Sequence, residues 1–137
     1  RGRGLSLGCG KGHIENALAK NVHEISKIVC LDLEEQTAEY GRLWENVKLE
    51  FHHSNVEDMQ LNEKFDFIFA NQALYFLNDH QLADLMGNIV SLLKENGRFI
   101  ILCSSNLTLK KALFSLRIIL KVSLGSTSFK PIGYFRT

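Results

Sequence analysis

The sequence predicts an α/β fold, a doubly wound and mostly parallel sheet with helices on both faces. Three observations predict it. Short β-like runs alternate with amphipathic helical stretches along the 137 residues, with no internal repeat. The runs are apolar throughout, as in Ile28-Val29-Cys30-Leu31 and Phe99-Ile100-Ile101-Leu102, which marks strands covered on both sides. Right-handed crossovers between such strands leave the doubly wound arrangement, whose ligands bind beyond the carboxyl ends of the strands where strand order reverses.

The elements follow in order. Gly4 to Cys9 reads as a strand entering a glycine turn, and Ile14, Ala17 and Leu18 then fall at helical spacing,. Lys27 to Asp32 is a second strand with an acidic end. Glu34 to Trp44 is a polar helix with a narrow stripe at Tyr40, Leu43 and Trp44. Val47 to Phe51 and Phe65 to Ala70 are strands three and four. Leu82, Leu85, Met86, Ile89, Val90 and Leu93 make the cleanest helical stripe, which Asn96-Gly97 stops,. Arg98 to Cys103 is a fifth strand, apolar on both faces.

Length and composition set the class. A chain of this size is one domain, residues 1–137, with a core over 4–106 and a basic tail over 107–137,. At 45% hydrophobic and 23% charged it is neither disordered nor low-complexity,. No apolar run reaches the ~20 residues of a membrane span, and no signal-peptide layout opens the chain. Cys9, Cys30 and Cys103 sit singly in apolar runs, without CxxC or Cys/His spacing. Reduced, buried thiols in a cytoplasmic protein, with no metal site, are the expectation.

The sharpest motif is Leu5-Ser6-Leu7-Gly8-Cys9-Gly10-Lys11-Gly12, a strand running into G-x-G-x-G and then a helix. Glycines permit positive φ and let a ligand approach the backbone, while the helix start offers free N–H groups. A bare turn is the plain alternative. Dinucleotide sites prefer G-x-G-x-x-G, but His13 stands in that third slot, which disfavours a nicotinamide enzyme. Asp32 lies 24 positions after Gly8, where a carboxylate at the next strand end meets ribose hydroxyls. Capping the following helix is its plain alternative.

These residues resemble the class I S-adenosylmethionine-dependent methyltransferases of the small-molecule type, with their LxLGCGxG motif. The resemblance spans about residues 4–106 and implies a Rossmann-like fold with S-adenosylmethionine as cofactor. It implies that Gly8, Cys9, Gly10 and Gly12 curl around the methionine portion and that Asp32, with Leu33 beside it, holds the ribose. Asn55, Val56 and Glu57, in the run to Met59, border the adenine. Phe65 to Leu77 resembles the family's fourth strand and the loop after it, where the acceptor meets the methyl group; Asn71 belongs to the cofactor set, and Gln72, Tyr75 and Phe76 to the acceptor loop. Leu93 to Phe99 resembles the turn into strand five.

Two positions depart from the family's pattern. Ser6, also placed in the cofactor set, stands where relatives commonly have an acid, and Asn55 stands where they often have Asp. A hydroxyl cannot pair with the cofactor's amino group, and an amide accepts less strongly than a carboxylate, so weaker cofactor affinity is expected. Tyr75-Phe76 stands where many relatives carry a histidine, leaving no assigned catalytic base. Methyl transfer to an amine or thiolate needs none, since it runs on positioning. None of His13, His23, His52, His53 and His80 is assigned as a base.

Residues 107–137 hold six basic and no acidic side chains, while the rest of the chain holds ten basic and fifteen acidic. Lys110, Arg117 and Lys121 share one helical face,. A solvated helix is the plain reading. A lid favouring an anionic acceptor and a basic helix on a membrane surface are the others, and no nucleic-acid partner is expected. Relatives carry helices before strand one and two further strands after strand five, so a domain truncated at both ends is expected. The function implied is methyl transfer to a small molecule. A catalytically silent cofactor-binding or interaction domain is the alternative.

Overall fold

A computed structural model describes residues 2–35, 37–44, 46, 48–55 and 61–102. Its elements are β1 (Gly2–Leu7), α1 (His13–Asn21), β2 (Ile25–Asp32), α2 (Thr37–Trp44), β3 (Leu49–His53), β4 (Phe65–Asn71), a short 3₁₀ turn (Ala73–Phe76), α3 (Asp79–Leu92) and β5 (Leu93–Leu102). The five strands form one sheet in the order β3-β2-β1-β4-β5, and every pairing is parallel. Strand order reverses between β1 and β4, which makes the carboxyl ends of those two strands the switch point.

Alternation along the strands feeds two cores. Leu5, Leu7, Val29, Leu31, Ile68 and Ala70 face α3, which buries Leu82, Leu85, Met86 and Ile89 against them. Each such side chain contributes roughly 1.5–3 kcal/mol through burial. Ile28, Cys30 and Phe69 face the other way, toward Ile14 and Leu18 of α1 and Tyr40 and Trp44 of α2. Helices thus cover both faces, as the apolar strands required.

Four features differ from the sequence pattern, two of them the bounds of α3. Helix α3 begins at Asp79, because the Asn78 side chain accepts the His80 and Gln81 N–H groups while Gln81 reaches back to the Asn78 N–H. It ends at Leu92, ahead of Asn96-Gly97, which instead lies in an irregularity of β5 with Asn96 at φ 66°. Strand β5 is not covered on both sides by described residues: Phe99 and Ile101 pack toward α3, but Ile100 and Leu102 are 45% and 42% exposed. The expected apolar face of α1 also shifts. Ala17 is exposed, and the buried positions are Glu15, Asn16 and Ala19.

Candidate functional site

The glycine loop leaves β1 still fastened to its neighbour, since the Gly8 and Cys9 N–H groups both donate to the Leu31 carbonyl at 2.9 and 3.1 Å. Gly10 and Gly12 hold φ of 51° and 75°, a region costly for any residue with a Cβ. The two have different surroundings. A Cβ on Gly12 would overlap the Phe51 ring, whereas one on Gly10 would meet nothing within 4 Å. Gly12 is therefore a packing requirement, and Gly10 faces open space above the loop.

Strand β2 brings Asp32 to this loop. Its Oδ2 accepts the Gly10 N–H at 2.7 Å and its Oδ1 accepts the Glu34 N–H at 3.0 Å. The carboxylate is half-buried and oriented on both sides by backbone, with lone pairs left for a ligand. Beyond it the chain is pinned by Thr37, whose hydroxyl donates to the Glu34 carbonyl at 2.6 Å. The Tyr40 hydroxyl donates to Glu34 Oε1 at 2.8 Å, and that carboxylate pushes the Tyr40 phenol up. On the far side Trp44 Nε1 donates to the Lys11 carbonyl at 2.7 Å and the indole meets the His13 ring edge-on at 5.1 Å.

A cavity of about 510 Å³ opens at the carboxyl ends of β1, β2 and β4. Gly8, Asp32, Leu33, Asn55, Asn71 and Gln72 line it, all of them residues the sequence pointed to. Asp32 is the one ionisable side chain among its described lining residues. Leu7, Leu31, Ser54, Ala73, Leu74, Leu77, Gln81 and Leu85 also line it; Ala73, Leu74 and Leu77 belong to the expected acceptor loop, and the others were not singled out. Leu7, Leu31 and Ser54 adjoin predicted residues or strand ends. Gln81 and Leu85 arrive from α3, and the Asn78-x-x-Gln81 capping pattern was the signal that places that helix start beside the site.

Four predicted residues, Ser6, Cys9, Gly10 and Gly12, do not line the cavity. Alternation turns the Ser6 side chain away from it, into the α1 face, where it is fully buried and donates to Glu15 Oε1 at 2.6 Å. The Cys9 thiol is buried in the same core as Cys30, and Gly12 is packed beneath Phe51. The adjoining Cys9 thiol, with burial, pushes the Cys30 thiol up. Val56 and Glu57 and the basic segment 107–137 lie outside the described residues, as do the side chains of Tyr75 and Phe76. The Tyr75 and Phe76 backbone belongs to the 3₁₀ turn that follows Gln72.

A glycine loop, a strand-end acid and a cavity at the switch point define a nucleotide-type site on a doubly wound sheet. Residues 5–97 match the family described as methyltransferase domain, and the chain belongs to that family. It is similar to malonyl-[acyl-carrier protein] O-methyltransferase of Bacillus cereus, with 33% identity over 56% of this chain and 29% of the relative. It is also similar to nodulation protein S of Azorhizobium caulinodans, with 30% identity over 70% of this chain and 46% of the relative. The chain thus spans under half the length of these curated relatives. Among solved structures, the N-methyltransferase NodS of Bradyrhizobium japonicum, in complex with S-adenosylhomocysteine, superposes with a TM-score of 0.69. That match covers 82% of this chain and 64% of NodS at 16% identity, so it speaks for the fold.

Proposed function

We propose that this chain binds S-adenosylmethionine in the cavity at the switch point and transfers its methyl group to a small-molecule acceptor. The observation that carries the reading is Asp32, fixed by the Gly10 and Glu34 N–H groups at the rim of the cavity in a methyltransferase-domain fold. Its remaining lone pairs suit the ribose hydroxyls. Leu33, Ser54 and Asn55 form the wall on the adenine side, and Gly8 and Asn71 border the methionine arm.

S-adenosylmethionine supplies a methyl group on a positively charged sulfur. The protein's part is placement: Gln72, Leu74, Leu77, Gln81 and Leu85 enclose the acceptor end and hold a nucleophile in line with the methyl carbon,. The acceptor's lone pair forms the new bond to carbon as the carbon–sulfur bond breaks, and the sulfur keeps that electron pair. A neutral amine acceptor then sheds a proton to solvent, while a carboxylate sheds none.

The acceptor is proposed to be small and anionic. The basic stretch 107–137 supports this, and so does the malonyl acceptor named for the B. cereus relative. The free thiols Cys9 and Cys30 support a cytoplasmic setting. The test is transfer of labelled methyl from S-adenosylmethionine to a panel of malonyl thioesters, amines and phenols. Label on a malonyl carboxylate supports the reading, whereas label on an amine or a phenol alone would keep methyl transfer and overturn the anionic acceptor. Cofactor binding without transfer to any acceptor would identify a silent binding domain.

A further inference from the structure

Helix α1 turns a carboxylate into the protein beneath the glycine loop. Glu15 is 1% exposed and its Oε1 accepts the hydroxyl of Ser6, itself fully buried, at 2.6 Å. Ser6 stands two residues before Gly8 and Glu15 three residues after Gly12, so the pair joins the two arms of the loop. A carboxylate taken out of water destabilises a fold unless strongly compensated, and one hydroxyl and a backbone amide are slight compensation. Burial accordingly pushes Glu15 up, while Ser6 and the Glu15 amide hold it down. Asp32 pushes it up as well, so the two carboxylates act on each other across the loop, with His13 the opposing group.

Electrostatics gives this arrangement a purpose. A glycine loop that opens a helix presents N–H groups and the positive end of the helix dipole, and by itself favours phosphate. Here two negative groups counter that field. Asp32 occupies the Gly10 N–H, and Glu15 lies buried under the loop, where charge is little screened,. The loop is thereby turned from a phosphate cradle toward a ligand that carries positive charge.

We propose that Glu15, held by Ser6, is the buried counter-charge of the glycine loop, a specificity residue that favours the ammonium group of the ligand's methionine arm and rejects phosphate. This rests on the S-adenosylmethionine reading above. Glu15 acts through the field in the loop and is not assigned contact with the ligand.

The test compares the wild-type chain with Glu15→Gln and with the double variant Ser6→Asp, Glu15→Gln. Each is titrated with S-adenosylhomocysteine, with 5′-methylthioadenosine, which lacks the amino-acid portion, and with ADP. Glu15→Gln keeps the shape and an acceptor for the Ser6 hydroxyl. It is expected to weaken S-adenosylhomocysteine about tenfold, to leave 5′-methylthioadenosine within about twofold and to tighten ADP. The double variant returns a carboxylate from the β1 arm and is expected to recover most of the lost affinity. Thermal stability of the free chain is expected to rise or hold in Glu15→Gln, opposite in sign to the binding loss, which a merely structural role would not produce. Unchanged S-adenosylhomocysteine affinity in Glu15→Gln, equal losses for both thioethers, or a double variant no tighter than the single one overturns the inference. A wild-type chain that binds no S-adenosylhomocysteine overturns the cofactor reading along with it.

Discussion

Asp32 Oδ2 accepts the backbone N–H of Gly10 at 2.7 Å, so the acid that ends β2 is built into the loop that follows β1. The same carboxylate takes the Glu34 N–H through its other oxygen, at 3.0 Å. One side chain therefore shapes the loop, starts the β2–α2 connection and borders the cavity. Replacing Asp32 with alanine is expected to weaken S-adenosylhomocysteine binding by about 1.5–3 kcal/mol, the range for hydrogen bonds to a charged group. Calorimetric titration of the folded variant checks it, and an unchanged dissociation constant removes Asp32 from the site.

The loop glycines separate binding from stability. Gly10→Ala places its Cβ in open space, so its main effect on folding is the backbone strain of a φ of 51°, about 1–2 kcal/mol,. Its Cβ projects into the open space above the loop, and binding is expected to weaken in a chain that still melts cooperatively. Gly12→Ala drives a Cβ into the Phe51 ring in addition to the strain at 75° and is expected to show the larger fall in Tm. Melting curves and titrations of the two variants, taken together, decide this. Equal falls in Tm would deny the distinction.

Trp44, the single tryptophan of the chain, closes the loop from outside. Trp44→Phe keeps a ring beside His13 but removes the hydrogen bond to the Lys11 carbonyl, with an expected loss of about 1 kcal/mol,. Urea unfolding measures that loss. In the unsubstituted chain, indole emission should change as the loop takes up ligand, and titration with constant emission would separate Trp44 from the site.

Glu15 also predicts a pH signature. Its carboxyl is held above the ordinary 4.5 in the folded chain. Below that value the group is protonated in both folded and unfolded states and burial carries no ionic penalty. As pH rises through the folded value the unfolded chain ionises more readily, and stability falls. Glu15→Gln should therefore be more stable than the parent at pH 7.5, with the gain disappearing below about pH 4.5. Denaturant titrations at pH 7.5 and pH 4 test the sign. A gain that persists at pH 4 would mean the change is one of packing.

What the sequence made legible was whatever a single position dictates. The glycine spacing and an acid at the end of an apolar run pointed to Gly8 and Asp32, which line the cavity, since each has a backbone or charge requirement visible in its own residue type. Parallel strands could be recognised because both faces are apolar in Ile28 to Leu31 and Ile68 to Ala70. The part of the acceptor wall from α3 was not legible, because Gln81 and Leu85 reach the cavity only through the packing of that helix across the sheet. Glu15 was hidden for a different reason. A helix stripe is sought among apolar residues, and here the most buried face carries a carboxylate whose side-chain partner, Ser6, lies nine residues away. The exposed side of β5 shows the limit of pattern alone, for Ile100 and Leu102 have the composition of a covered strand and, among the described residues, stand at the sheet's edge.

The most direct measurement is a crystal structure of the chain with S-adenosylhomocysteine bound. The ligand is expected in the cavity at the switch point, with ribose hydroxyls on Asp32, adenine between Leu33 and Asn55, and the thioether sulfur between Gly8 and Asn71. A ligand bound elsewhere, or a ribose that does not meet Asp32, would contradict the cofactor reading.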